Sequence, residues 1–189
     1  MISVVKYDYF EKLEQISDVA LSAVRHVCSD DREKNMGELR KNCDGLVYET
    51  ENALFQDFMP PLERDNIAAA AHAISRVVDK AYELSSITVC SNATPKVNEE
   101  AKICVSLAEK LKEEITALRR IKRPNELPDI TGFRELLREG REAHKTVLSK
   151  IRSGALPKSY ADYVIHTGRL RSEISAAYDE IVEIMLNNI

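Results

Sequence analysis

Residues 161–184 read ADYVIHTGRLRSEISAAYDEIVEI, in which Tyr163, Thr167, Leu170, Ile174, Ala177, Ile181 and Ile184 follow at steps of 4, 3, 4, 3, 4 and 3. A half-buried strand repeats every second residue. This spacing keeps one stripe of a helix on the same side for about six turns, which is how a bundle helix meets its neighbours. Pro157 opens the segment, since a first-turn residue has no use for its N–H. Gly168 lies inside the pattern, where glycine costs about 1 kcal/mol relative to alanine. It is read as a packing position, with a close backbone approach offsetting the cost.

Outward from this stretch, the same period recurs in five other segments. The first starts near Ser3 and carries Phe10, Leu13, Ile16, Ala20, Val24 and Val27, stopping near Ser29, Asp30 and Asp31. Those acids can cap a second helix bearing Leu39, Cys43, Leu46, Thr50, Ala53 and Leu54. Pro60-Pro61 ends it, and Pro61 suits the first turn of a third helix with Ile67, Ala70, Ile74, Val77, Val78, Ala81 and Leu84. That helix gives way to the polar stretch 85–95. Thr94-Pro95 opens the fourth, with Cys104, Leu107, Leu111, Ile115 and Leu118. After a linker between Pro124 and Pro128, Asp129 or Thr131 caps the fifth, with Phe133, Leu136, Leu137, Ala143, Val147 and Ile151, and Ser153-Gly154 stops it. Gly140 inside this helix is a second packing glycine.

The expected fold is all-α, a six-helix bundle of two similar three-helix repeats, about 3–86 and 95–187, in one domain spanning 1–189. Setting Pro61 against Pro157 aligns Ala81-Tyr82-Glu83 with Ala177-Tyr178-Asp179, a sign of repetition. Helix one is expected to pack with two and three, and four with five and six, antiparallel across the short turns. Composition agrees: 44% of residues are apolar and 31% are charged, Trp is absent, and Gly and Pro number only 6 each. That leaves no room for disorder or a loop-rich fold.

The 31 acidic and 27 basic residues interleave to a net charge of −4, which argues against a protein held to nucleic acid by phosphate contacts. Cys28, Cys43, Cys90 and Cys104 are widely separated and form no Cys-x-x-Cys. Without the spacing of a zinc site or disulfide framework, they read as reduced thiols. No export signal and no long apolar run is present, so a cytoplasmic protein is expected. There is no Gly-rich phosphate loop, no Gly-x-Ser-x-Gly, no paired Cys and His and no Glu-x-x-His, and no enzyme is expected.

The turn Phe58-Met59-Pro60-Pro61-Leu62-Glu63-Arg64-Asp65-Asn66-Ile67, followed by Ala71-His72-Ala73-Ile74-Ser75-Arg76-Val77-Val78-Asp79, resembles the PhoU-like family. More narrowly, it is similar to the branch of phosphate-transport regulators associated with Pit-type inorganic phosphate transporters. Phe58, Pro61, Arg64, Ile67 and Asp79 fall at that branch's Phe-x-Thr-Pro-x-Asp-Arg-x-Asp-Ile turn and at the acid fifteen residues beyond its Arg, and Asn42-Cys43-Asp44 at its Glu-x-Glu-Ala-Asp. The resemblance covers about residues 39–84 well. It implies two three-helix repeats with paired carboxylates, four apart on the second and third helix of each, holding a metal cluster. Here those positions carry Arg40 and Asp44, Ser75 and Asp79, Gly140 and His144, and by repeat alignment Arg171 and Ser175. Acids are lost and cations gained, so the ligand set is degenerate. No cofactor or stoichiometric metal is expected, with Asp44, Asp79 and His144 the remaining candidate ligands.

Ordinary pairing competes with function at each singled-out residue. Arg64 and Asp65 are either a partner-binding turn or a solvated first turn. Asp44 can pair with Arg40, and Asp79 with Arg76 or Lys80. His72, set among alanines, is expected at close helix packing rather than as a phosphotransfer residue. His144, between Arg141 and Lys145, is the better candidate for a histidine phosphotransfer bundle, the alternative function. Asp162 and His166 have metal-pair spacing but are expected to make surface pairs. Tyr7, Tyr9, Tyr160 and Tyr163 are placed at core edges with their hydroxyls in water. The resemblance implies a regulator or accessory protein of phosphate transport, acting by binding to a membrane transporter of the Pit type. A structural helical interaction module is the plainer alternative, and a homodimer is expected.

Overall fold

In the computed structural model of the chain, residues 7–28, 35–91, 99–120 and 128–188 are described. They form six α-helices and no strand: α1 (Tyr9–Cys28), α2 (Met36–Gln56), α3 (Arg64–Ser91), α4 (Glu99–Ala117), α5 (Ile130–Arg152) and α6 (Ala161–Asn187). Single 3-10 turns extend α4 over Leu118–Arg120 and precede α6 over Lys158–Tyr160.

Local chemistry sets the ends. The Asp8 carboxylate accepts from the Glu11 N–H at 3.0 Å, so α1 begins at Tyr9. The Asn35 side chain caps α2 by accepting from the Gly37 N–H, satisfying a donor the helix itself leaves unpaired. The Asp30 and Asp31 expected in that role lie outside the described residues, as do Ser3, Thr94, Pro95 and Pro124. Asp129 caps α5 as expected, its Oδ1 accepting from the Gly132 N–H at 3.0 Å. At the other end of α5, Gly154 takes a φ of 79°, the left-handed conformation that lets a helix stop.

Helices α2 and α3 have boundaries that differ from those expected. Helix α2 ends at Gln56, ahead of Pro60-Pro61, because Asp57 turns to extended backbone and its N–H closes the helix on Ala53 O at 2.8 Å. Helix α3 begins at Arg64, so Pro61 stands before its first turn rather than in it. Helix α3 also continues to Ser91, well into the polar stretch 85–95. Ser85 and Ser86 tolerate the helix by returning their hydroxyls to Tyr82 O, a local bond open to serine in mid-helix.

One apolar core draws residues from all six helices, among them Ile16, Leu39, Ile74, Leu107, Phe133 and Ile174. The expected contacts within each repeat are present. The largest contact, however, joins α3 to α6, and α1 packs on α4 as fully as on α3. Equivalent helices of the two repeats therefore share a core. The Ala-rich face of α3 (Ala70, Ala71, Ala73, Ile74, Val77, Ala81) explains this, since small buried residues let long helices run side by side at close distance.

Tyr9 and Tyr163 belong inside this core, not at its edges: 1% and 0% exposed, they are among its largest buried side chains. Burial, then the neighbouring Asp57 carboxylate, pushes the Tyr9 hydroxyl up to about 12. Tyr178 stacks flat on Phe133 with centroids 3.5 Å apart, and burial raises its hydroxyl too. Cys28, Cys43 and Cys104 are free and buried. Burial raises the Cys43 thiol to about 11, and contact with the Cys28 thiol, followed by burial, holds Cys104 well above the usual thiol range. Cys43 and Cys104 are thus protonated, unreactive thiols at neutral pH.

Candidate functional site

Two features stand out: the tip where α2 turns into α3, and the seams at which the resembled family carries its carboxylates.

At the tip, Arg64 is exposed and turned onto backbone carbonyls rather than onto the neighbouring acids. Its Nε donates to Leu54 O at 3.1 Å and a terminal nitrogen donates to Asp57 O. The guanidinium thereby satisfies carbonyls left unpaired at the end of α2. Asp57 completes the turn by accepting from the Met59 N–H at 3.0 Å, and buried Leu62 anchors it. This fixed loop presents Phe58 and Met59 at 90% and 73% exposure, with Phe55 of the last α2 turn at 89%. Tyr48, two turns back on the same face, is also exposed. Asp65 is exposed beside a groove of about 290 Å³ lined by Glu51, Leu54, Phe55, Arg64, Asp65 and Ala68. Beside the exposed Arg64 and Asp65 that the sequence singles out, the tip offers the large apolar side chains of Phe55, Phe58 and Met59 outward.

At the α2–α3 seam, Asp79 pairs with Arg40, Oδ1 to Nε at 2.9 Å, and not with Arg76 or Lys80. Arg76 reaches across to Glu173 of α6 at 2.8 Å, and Lys80 holds Glu83. Arg40 also lies over the Tyr82 ring, 5.0 Å from its centroid, where the ring face attracts a cation. With Arg40 drawn to Asp79, Asp44 forms no ion pair among the described residues. His72 is exposed rather than packed between helices, its Nε2 2.9 Å from Glu51 Oε1.

The second seam is built around a residue the sequence reading passed over. Glu100, in the first turn of α4, is 0% exposed. Its Oε1 accepts from Arg171 Nε of α6 at 2.7 Å, and its Oε2 lies 2.7 Å from His144 Nδ1 of α5. The side chains of Arg171 and His144 are 10% and 22% exposed, so three helices converge on one buried carboxylate. The two packing glycines make the space. A Cβ at Gly140 would stand 2.7 Å from Arg171 Cδ, and one at Gly168 would stand 2.8 Å from His144 Cε1. Glu100 was legible after all: it continues the α4 stripe Cys104, Leu107, Leu111 one step backward, at a position an apolar residue would normally hold.

Other candidates fall apart. His166 does not pair with Asp162; its Nε2 is 3.4 Å from an Arg169 nitrogen, and burial, then that cation, lowers its basicity. Asp44 and Asp79 are on α2 and α3, whereas His144 is committed to Glu100. Among the described residues no three His, Cys, Asp or Glu side chains come together as a metal site would require. No described helix is long and apolar enough to cross a membrane.

No family model matches the chain. No curated protein matches it either. Two solved structures from Shewanella oneidensis MR-1 do resemble it in shape. One, a PhoU-like protein, superimposes with a TM-score of 0.67 at 11% identity over 95% of this chain and 96% of that one. The other, a candidate PhoU-like phosphate regulatory protein, gives 0.69 at 12% identity with the same coverage. At such identity the likeness speaks for architecture, and it spans nearly the whole of each chain: the fold is the PhoU-like helical bundle.

Proposed function

We propose that this chain is a regulatory or accessory protein of phosphate transport that acts by binding, on the cytoplasmic side, to a Pit-type phosphate transporter. The observation that carries the reading is the exposed Phe55, Phe58 and Met59 tip, held in shape by Arg64. A soluble surface does not ordinarily hold several large apolar side chains at such exposure on a braced loop, and partner surfaces do. The PhoU-like fold and the turn motif at that same tip support the choice of phosphate transport. On this reading the chain catalyses no reaction and holds no stoichiometric metal, because Arg40 and Arg171 already supply positive charge where cation-binding carboxylates would stand. Self-association as a homodimer belongs to the same reading and is measured by light scattering.

The experiment is co-purification with the transporter, paired with phosphate uptake in cells lacking the protein. Phe58→Ser with Met59→Ser should abolish capture and reproduce the uptake change of the deletion while leaving the melting temperature within a few degrees. Unchanged capture and uptake in that variant would reject the tip, and unchanged uptake on deletion would reject the function.

A further inference from the structure

Beside the buried Glu100 lies a groove of about 440 Å³ between α3, α5 and α6, lined by Lys80, His144, Ile165, Gly168, Arg169, Arg171, Ser172 and Glu173. Arg171 brings unspent donors to it. Its only hydrogen bond among the described residues runs from Nε to Glu100, leaving the terminal nitrogens without a protein acceptor although nine-tenths of the side chain is buried. Such a fork, held by one edge, is preorganised to donate two parallel bonds to an oxyanion. His144 is held likewise, with Nδ1 committed to Glu100 and Nε2 left over.

Arg169 adds a cation that forms no ion pair among the described residues; its one contact is the 3.4 Å approach to His166. Three nearby acids are already paired. Glu173 is held by Arg76 at 2.8 Å, Glu83 occupies Lys80 through both oxygens, and Glu100 has Arg171 and His144.

We propose that this groove binds a tetrahedral oxyanion, phosphate or a phosphate ester, between the Arg171 fork, His144 Nε2 and Arg169. Donors arriving from separate helices suit a tetrahedral group better than a planar carboxylate, and partial burial strengthens each bond. Lys80 lies more than four turns past Arg64 on α3, roughly 24 Å by helix rise, so the site does not depend on the tip or its partner.

The test follows the four histidine ring resonances of the full chain by NMR while inorganic phosphate, and separately phenyl phosphate, is added at constant ionic strength with chloride. Saturable shifts of His144 and His166 but not of exposed His72 are expected, with affinity about tenfold weaker in Arg169→Ala, a surface change that leaves the core intact. Inorganic phosphate binding alone identifies the free anion, and phenyl phosphate binding alone identifies an ester; either supports the site. Shifts that chloride reproduces, that persist at equal affinity in Arg169→Ala, or that fail to appear with both anions overturn it.

Discussion

At the α2–α3 seam Arg40 meets Asp79 with both side chains nearly half exposed, whereas where α4, α5 and α6 converge Arg171 meets a Glu100 that solvent does not reach. The resemblance implies acids at both arginine positions, yet the same kind of pair has a different physical meaning in each. In water, the charges lose little on separation and gain little on pairing, so the first is worth about 0.2–1 kcal/mol. In the core, stripping a carboxylate of water is so costly that its donors become obligatory. The two repeats thus show one architecture carrying a decorative pair and a structural one, and depth separates them.

The largest expected effect comes from breaking the buried pair. Arg171→Met deprives Glu100 of its guanidinium and should destabilise the fold by about 3–5 kcal/mol in urea unfolding. Glu100→Leu combined with Arg171→Met should recover much of that loss, since an apolar pair of similar size has no stranded charge. If Arg171→Met alone cost less than about 1 kcal/mol, the scale of an exposed pair, the contrast between seams would fail.

Glycines sharpen it next. Gly140→Ala drives a methyl to 2.7 Å from an Arg171 side chain that Glu100 holds still. The expected loss is about 1–2 kcal/mol from overpacking, despite alanine's better helix propensity. Gly45 of α2 has nothing within 4 Å of a built Cβ, so Gly45→Ala should instead stabilise by up to about 1 kcal/mol. Thermal melts of the two variants should move in opposite directions; a shared direction removes the packing account.

Smallest of all, Asp79→Asn or Asp44→Asn should shift stability by no more than about 1 kcal/mol. A larger loss would show that the first seam is a site of some kind rather than a surface pair.

How far the sequence carried these conclusions varies along the chain. The 163–184 seam announced its helix because its core positions kept step without interruption, and Gly140 and Gly168 announced close packing because nothing else justifies glycine in mid-helix. What glycine cannot name is the atom it makes room for. Glu100 escaped notice because an acid in a helix first turn ordinarily interacts with the helix dipole at the surface. Only the approach of α5 and α6 turns that position inward. Arg64 was read by its charged neighbours Glu63 and Asp65, whereas its partners are backbone carbonyls, which carry no sequence signature. The run of small residues around His72 spoke for close packing, which is true of Ala71 and Ala73, but one residue along a helix is about 100° of rotation and takes the imidazole to the surface.

The proposed reading has arginines standing in place of metal at both seams, and elemental analysis tests that claim most directly. The purified full chain, dialysed against a weak chelator, should carry well under one equivalent of iron or zinc. One or more equivalents retained through dialysis would contradict it, and would turn attention to Asp44, Asp79 and His144 as ligands.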